Sequence, residues 1–284
     1  MESIKYCIDN DGKKWIIGNT LYSGNSILYK SRKNFSSSFY NYVMKLDHKL
    51  HRPLVSEIRF YITVLDQSLV SDWIKEHDIK YLAIPYLYGI GESNNYRFFI
   101  LKNLGRVFAP KDIESVYDAC VVLIDTLEYI HSKGFTHGKI EPTNILIRNN
   151  RISLIDYSRT NRLYNDNKKH IDYNEDTIIY GNTNYMCIDN HLGATVSRRG
   201  ELEMLGYCMI EWFGGKLPWK NEKNRIKLER QKREYKKNID AFFEDCFSKG
   251  NVPLELVRYM ELVYSLDYDQ TPDYSRLRRL FIQD

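Results

Sequence analysis

The chain has no Cys-x-x-Cys pair. Its five cysteines, Cys7, Cys120, Cys187, Cys208 and Cys246, are odd in number and widely spaced. That pattern excludes a disulfide framework or a zinc site and points to reduced thiols in the cytosol or nucleus. No window approaches 18 uninterrupted apolar residues, and the opening MESIKYCIDNDGKK carries no apolar core of signal-peptide type. A membrane-spanning or secreted chain is therefore not expected. Internal repeats, a long linker and a low-complexity tail are also missing. The excess of one sign of charge is small as well: the net charge is only +4, where a nucleic-acid binder more usually concentrates a basic face. One segment departs from that balance. Residues 220–237, KNEKNRIKLERQKREYKK, hold nine Lys or Arg against three Glu. The first reading is a solvated helix and loop surface; docking of an acidic partner, nuclear import or nucleic-acid contact are the alternatives.

What is present is ordinary for a folded soluble protein, with 43% apolar and 27% charged residues, so class must come from pattern. The length of 284 residues suits one large domain or two lobes sharing a cleft. The first hundred residues favour strands. WIIGNTLY (15–22), SILYKS (26–31) and FYNYVMKL (39–46) are β-branched and aromatic, and strands return at YLAIPYLYGI (81–90) and YRFFILKNL (96–104). Between them PLVSEIRFYITVLDQ (53–67) switches to helical spacing through Leu54, Ile58, Tyr61, Ile62 and Leu65, with Pro53 placed to start the helix. After Gly105 helices dominate: DIESVYDACVVLIDTLEYIHSKG ending near Gly134, then ELEMLGYCMIEWF, PLELVRYMELVYSL and YSRLRRLFI. The expected fold is α+β, with a small antiparallel β-rich N-lobe holding one helix (1–104) and a larger, mainly helical C-lobe (105–284).

Motifs fall in order along that frame. Lys45 lies in a strand as YVMKL, and Glu57 follows twelve residues later on the next helix, placed to form an ion pair with it. FTHGKIEPTNILI (135–147) opens as a loop and ends as a strand. In it Asn144 stands five residues after Lys139, the x-D-x-x-x-x-N spacing in which Asn binds magnesium and the residue at 139 is an aspartate that accepts a hydroxyl proton. LIDYSR then places Asp156 as the metal-holding acid of a D-Y-S variant of D-F-G.

These motifs, together with VSRRGELEMLGYCMIEWFGGKLPW (196–219), resemble the vaccinia-related kinase family of the casein-kinase-like group, and most of all its catalytically inactive poxviral branch. The resemblance runs from about Trp15 to Phe281. It implies a bilobal protein-kinase fold, with Lys45, Glu57 and Gly24 at a vestigial nucleotide site and Asn144 and Asp156 at a vestigial metal site. The departures concern chemistry. Lys139 replaces the catalytic aspartate, and Glu141 replaces a phosphate-contacting lysine, so the two charges are exchanged. In LYSGNSILY only Gly24 survives of a G-x-G-x-x-G loop, with Tyr22 and Ser26 near the other glycine positions. Such a loop is stiffer and bulkier beside a phosphate. No Arg precedes Lys139 to receive an activation-loop phosphate; Gly138 stands there instead.

Magnitudes favour lost chemistry over altered chemistry. A positioned general base contributes roughly 10²- to 10⁴-fold, or about 3 to 5 kcal/mol of barrier. A lysine ordinarily titrates near 10.4, so acting as a base at neutral pH costs about 4 kcal/mol more. The expected protein is a pseudokinase that needs no cofactor and acts by protein binding. A weak Ser/Thr kinase retaining Mg-ATP is the alternative reading. By resemblance, its partners are an active vaccinia-related kinase or the DNA-bridging protein barrier-to-autointegration factor, in the host cytoplasm and nucleus.

Overall fold

The β-branched and aromatic segments early in the chain build an antiparallel sheet. In the computed structural model, which describes residues 5–23, 26–33, 39–110, 116–177, 181–248 and 250–282, the chain divides into two compact units. One comprises residues up to Lys80, Ile84–Arg106 and Ser153–Arg159; the other comprises Tyr81–Ala83, Val107–Ile152 and Thr160 onward.

In the first unit, β1 (Tyr6–Ile8), β2 (Lys14–Ser23), β3 (Ile27–Lys33), β4 (Tyr42–His48), β5 (Leu87–Ser93) and β6 (Tyr96–Lys102) form one sheet in the order β1-β2-β3-β4-β6-β5. Trp15, Met44, Leu46, Phe98 and Ile100 pack a core on one face. Because strand side chains alternate, Met44 and Leu46 on that face put Lys45 on the other, in register between Leu28 and Phe99.

Helix α1 (Arg52–Thr63) has Pro53 in its first turn and buries Leu54, Glu57, Ile58, Phe60 and Tyr61. It stops four residues short of the expected Gln67, and Ile62 is exposed rather than on the buried face. The cause is Asp66. Its side chain accepts the Ser68 amide and caps a second helix, α2 (Gln67–Glu76), so the described residues of this unit hold two α-helices and not one. The polar run QSLVSD gives α2 little apolar periodicity to read.

The second unit contains α3 (Val116–Ser132), α4 (Ile188–His191), α5 (Arg198–Trp212), α6 (Arg225–Lys237), α7 (Ile239–Phe247), α8 (Leu254–Tyr264) and α9 (Tyr274–Arg279). Short strands β7 (Arg106–Val107), β8 (Phe135–Thr136), β9 (Ile145–Arg148), β10 (Arg151–Leu154) and β11 (Asn161–Arg162) punctuate the chain, with β8 and β11 antiparallel. Helix α5 is buried almost all round, including Glu201 and Glu203. Ser197 caps it by accepting the Gly200 amide. Gly206 lets Tyr259 and Met260 of α8 approach its backbone closely. All five cysteines are free thiols and buried, and burial raises each thiol above its ordinary range, which leaves them inert packing residues. No described helix is long and apolar enough to cross a membrane.

Candidate functional site

Three of the residues singled out in the sequence meet within the first unit. Lys45 projects from β4, Glu57 from α1, and Asp156 from the segment after β10. The Lys45 ammonium lies 2.6 Å from Glu57 Oε2 and 3.2 Å from Asp156 Oδ1. Glu57 is 1% exposed, and its other oxygen accepts the Tyr157 amide at 3.1 Å. Burial acts against the charge on Lys45, but Glu57 and Asp156 outweigh it and hold the amine above its ordinary range.

Asp156 sits at φ 69, a left-handed conformation that costs most residues about 1 to 2 kcal/mol and that Asp tolerates better. Ser158 Oγ donates to Asp156 Oδ1 at 2.8 Å, which adds a second tether. Tyr157 is buried beneath, stacked on Phe60 and edge-on to Tyr61, each at 5.3 Å between centroids.

The loop holding Lys139 is built differently, around a buried carboxylate of α5. Glu201 Oε1 accepts the Gly138 amide at 2.6 Å, and Oε2 accepts the His137 amide at 2.9 Å. The His131 ring lies 2.9 Å from the same oxygen through Nε2 and 2.5 Å from the Tyr274 hydroxyl through Nδ1. Gly138 adopts φ 77, so its lack of a Cβ has a backbone reason independent of any regulatory arginine. The Asn144 amide nitrogen donates to the Lys139 carbonyl at 3.0 Å and closes the loop.

The Lys139 side chain is 30% exposed, with its amine 3.8 Å from Glu141 Oε1, and Thr143 Oγ1 donates to that same carboxylate oxygen at 2.9 Å. Lys139 and Glu141 line a groove with Gly138, Asn182, Tyr185 and Met186.

The structure thus joins Lys45, Glu57 and Asp156 in one cluster and Lys139, Glu141 and Asn144 in one loop, while Gly24 lies outside the described residues. Among the described residues no group of three or more His, Cys, Asp or Glu is arranged to hold a metal. The types at 45 and 156 suit nucleotide phosphates and a divalent ion. The Lys45 amine is already bonded to both carboxylates of the cluster, and the pair at 139 and 141 does not suit proton abstraction. Glu201, His131, Ser158 and Tyr274 were not singled out in the sequence. Only the block 196–219 hinted at Glu201, because a carboxylate inside an apolar helical run demands partners.

The comparisons with known proteins agree with this geometry. No protein-family model matches the chain. The protein called Pseudokinase OPG198 of vaccinia virus (strain Copenhagen) is 76% identical over 284 residues, covering 100% of each chain. The chain belongs to the poxviral pseudokinase family. The B1 kinase of vaccinia virus (strain Western Reserve) is 32% identical over 298 residues, spanning 97% of this chain and 96% of that protein. The structure of vaccinia related kinase 3 superposes with a TM-score of 0.82 at 27% identity, covering 97% of this chain and 89% of that one. A pseudokinase is a kinase homologue without phosphotransfer activity, and this member has the kinase-like fold: an antiparallel β-sheet in its N-terminal part and mostly helices after it.

Proposed function

We propose that this pseudokinase acts by binding proteins, and so regulates or competes with an active vaccinia-related kinase and its substrates. The observation that carries the reading is Lys139. A cation beside Glu141 occupies the position that serves as proton acceptor in an active kinase. The surrounding loop is nevertheless held in place by Glu201, Gly138 and Asn144. A groove kept in shape without its base is suited to contact and not to turnover.

The partners this reading favours are an active kinase resembling B1 and the DNA-bridging barrier-to-autointegration factor, in the host cytoplasm and nucleus. Affinity purification of the tagged chain from infected cells tests them, with fluorescence imaging for the compartment. Recovery of neither protein rejects these partners.

The second reading, a weak kinase retaining Mg-ATP, is favoured by one observation, the intact Lys45–Glu57–Asp156 cluster. Thermal unfolding with ATP, with and without magnesium, separates the two. With Asp156 already tied to Lys45 and a cation at 139 in place of the base, the binding reading predicts no magnesium-dependent rise in Tm. A rise of several degrees together with labelling of a protein acceptor would reverse the assignment.

A further inference from the structure

The basic segment at 220–237 remains unassigned by the pseudokinase reading, and the structure divides its charges by role. Most of it forms α6, capped by Asn224, which accepts the Ile226 and Lys227 amides. Leu228 and Lys232 are buried and Tyr235 is half-buried, so these three face inward at helical spacing. Lys232 is an anchor. Its amine donates to the carbonyls of Thr183 at 2.9 Å, Asn184 at 3.0 Å and Met186 at 2.6 Å, and lies over the rings of Tyr207 and Trp219.

The diametrically opposite face carries Ile226, Arg230, Arg233 and Lys237. Steps of four, three and four residues align them in one stripe roughly 16 Å long. All four are exposed, Ile226 at 73%. Arg225 and Lys227 flank the stripe, and neither they nor Arg230 forms an ion pair with a carboxylate among the described residues. Arg233 and Lys237 are 3.4 and 3.1 Å from Glu229 and Glu234.

We infer that this stripe docks an acidic, amphipathic segment of a partner protein. The inference rests on the binding function proposed above and names its surface. Cations outnumber carboxylates along the helix, which sets the sign of the partner. One feature chooses protein over nucleic acid: Ile226, 73% exposed, offers a phosphate nothing, whereas it seats an apolar side chain between acidic ones. The Lys232 anchor holds the helix rigid, so little ordering is required on binding.

The test is fluorescence anisotropy of the full chain with a labelled synthetic helical peptide bearing Glu along one face and Leu in register with Ile226. A Lys-for-Glu peptide and a 20-base-pair DNA duplex serve as the other arms. The stripe predicts binding of the acidic peptide alone, weakened at least tenfold by Arg230→Glu with Arg233→Glu and severalfold by Ile226→Ser. These exposed changes should leave Tm unmoved. Equal peptide binding by the Arg230→Glu/Arg233→Glu variant overturns the inference. So does tighter binding of the duplex than of the peptide, or no effect of Ile226→Ser, which marks a merely solvated basic face. Failure here with continued co-purification of a kinase rejects the stripe alone; intact peptide binding without either named partner rejects those partners alone.

Discussion

The Lys45 cluster and the Lys139 loop both consist of a lysine beside acids, yet they answer to different constraints. Lys45 is 15% exposed in its side chain and Glu57 2%, and the pair closes at 2.6 Å. Lys139 is 30% exposed and stands 3.8 Å from its acid. A buried charge that loses its partner is left in a medium that solvates it poorly, whereas an exposed one falls back on water. The fold therefore holds the first arrangement whether or not nucleotide is ever used. At position 139 the active kinases need an aspartate for proton abstraction, and the loop backbone here is held by Glu201 and Asn144. A protein relieved of catalysis keeps its ion pair and exchanges its base, which is the combination found here.

The contrast is broken or upheld most directly at Lys45. Lys45→Met leaves Glu57 and Asp156 facing one another without a cation, and should cost about 3 to 5 kcal/mol in urea unfolding. Pairing it with Glu57→Leu should recover a large part, because the stranded charge goes too. A single-variant loss below about 1 kcal/mol would mean that the cluster is as dispensable as the loop.

A second buried lysine sharpens the comparison, since Lys232 has carbonyls rather than carboxylates as its bonded partners. Burial pushes its amine down to about 7 against the opposing influence of Glu203 and Cys187. Burial, then the Lys232 charge, pushes neighbouring His191 down to about 3. Unfolded lysine titrates near 10.4, so between about pH 7 and 10 the unfolded chain binds more protons and stability due to Lys232 rises with pH, by up to about 1.4 kcal/mol per unit. Lys232→Met should cost about 2 to 3 kcal/mol at pH 7 through the unmatched carbonyls. The gap from the parent chain should widen by pH 9. A gap that narrows instead would show that the charged form is the stabilising one.

How much of this the order of residues makes legible follows the same division. The strands around Lys45 could be read from their β-branched and aromatic composition, and the pairing of Lys45 with Glu57 from their places in the order of kinase motifs. The second helix was not, since Asp66 ends α1 by capping α2 and that competition turns on one side chain. Asp156 could be located by its motif, but the motif does not spell out its positive φ or the bond from Ser158 two residues on. Glu201 was nearly silent: its ligands, the amides of His137 and Gly138, lie more than sixty residues away. Lys232 was hidden among basic neighbours, where nothing in the order of residues separates the inward one from those facing water.

Gly138 gives a smaller and more local test. At φ 77 a side chain is strained, so Gly138→Ala should cost about 1 to 2 kcal/mol. It should also loosen the amides that Glu201 holds, raising hydrogen exchange at His137 and Gly138. Unchanged exchange would place the rigidity of this loop elsewhere.

The smallest effect is expected where function once demanded most. Exchanging the charges back, Lys139→Asp with Glu141→Lys, preserves one cation and one anion in a partly exposed pair. The loop backbone stays fixed by Glu201, Gly138 and the Asn144 amide, none of which depends on either side chain. Exposed pairs contribute roughly 0.2 to 1 kcal/mol, so the double variant should unfold within about 1 kcal/mol of the parent chain. The Thr143 contact with Glu141 is surrendered, which sets the sign as a slight loss. A loss matching that of Lys45→Met would show that the fold has come to need the exchanged charges, and the loop would then have to be counted as structure rather than as abandoned chemistry.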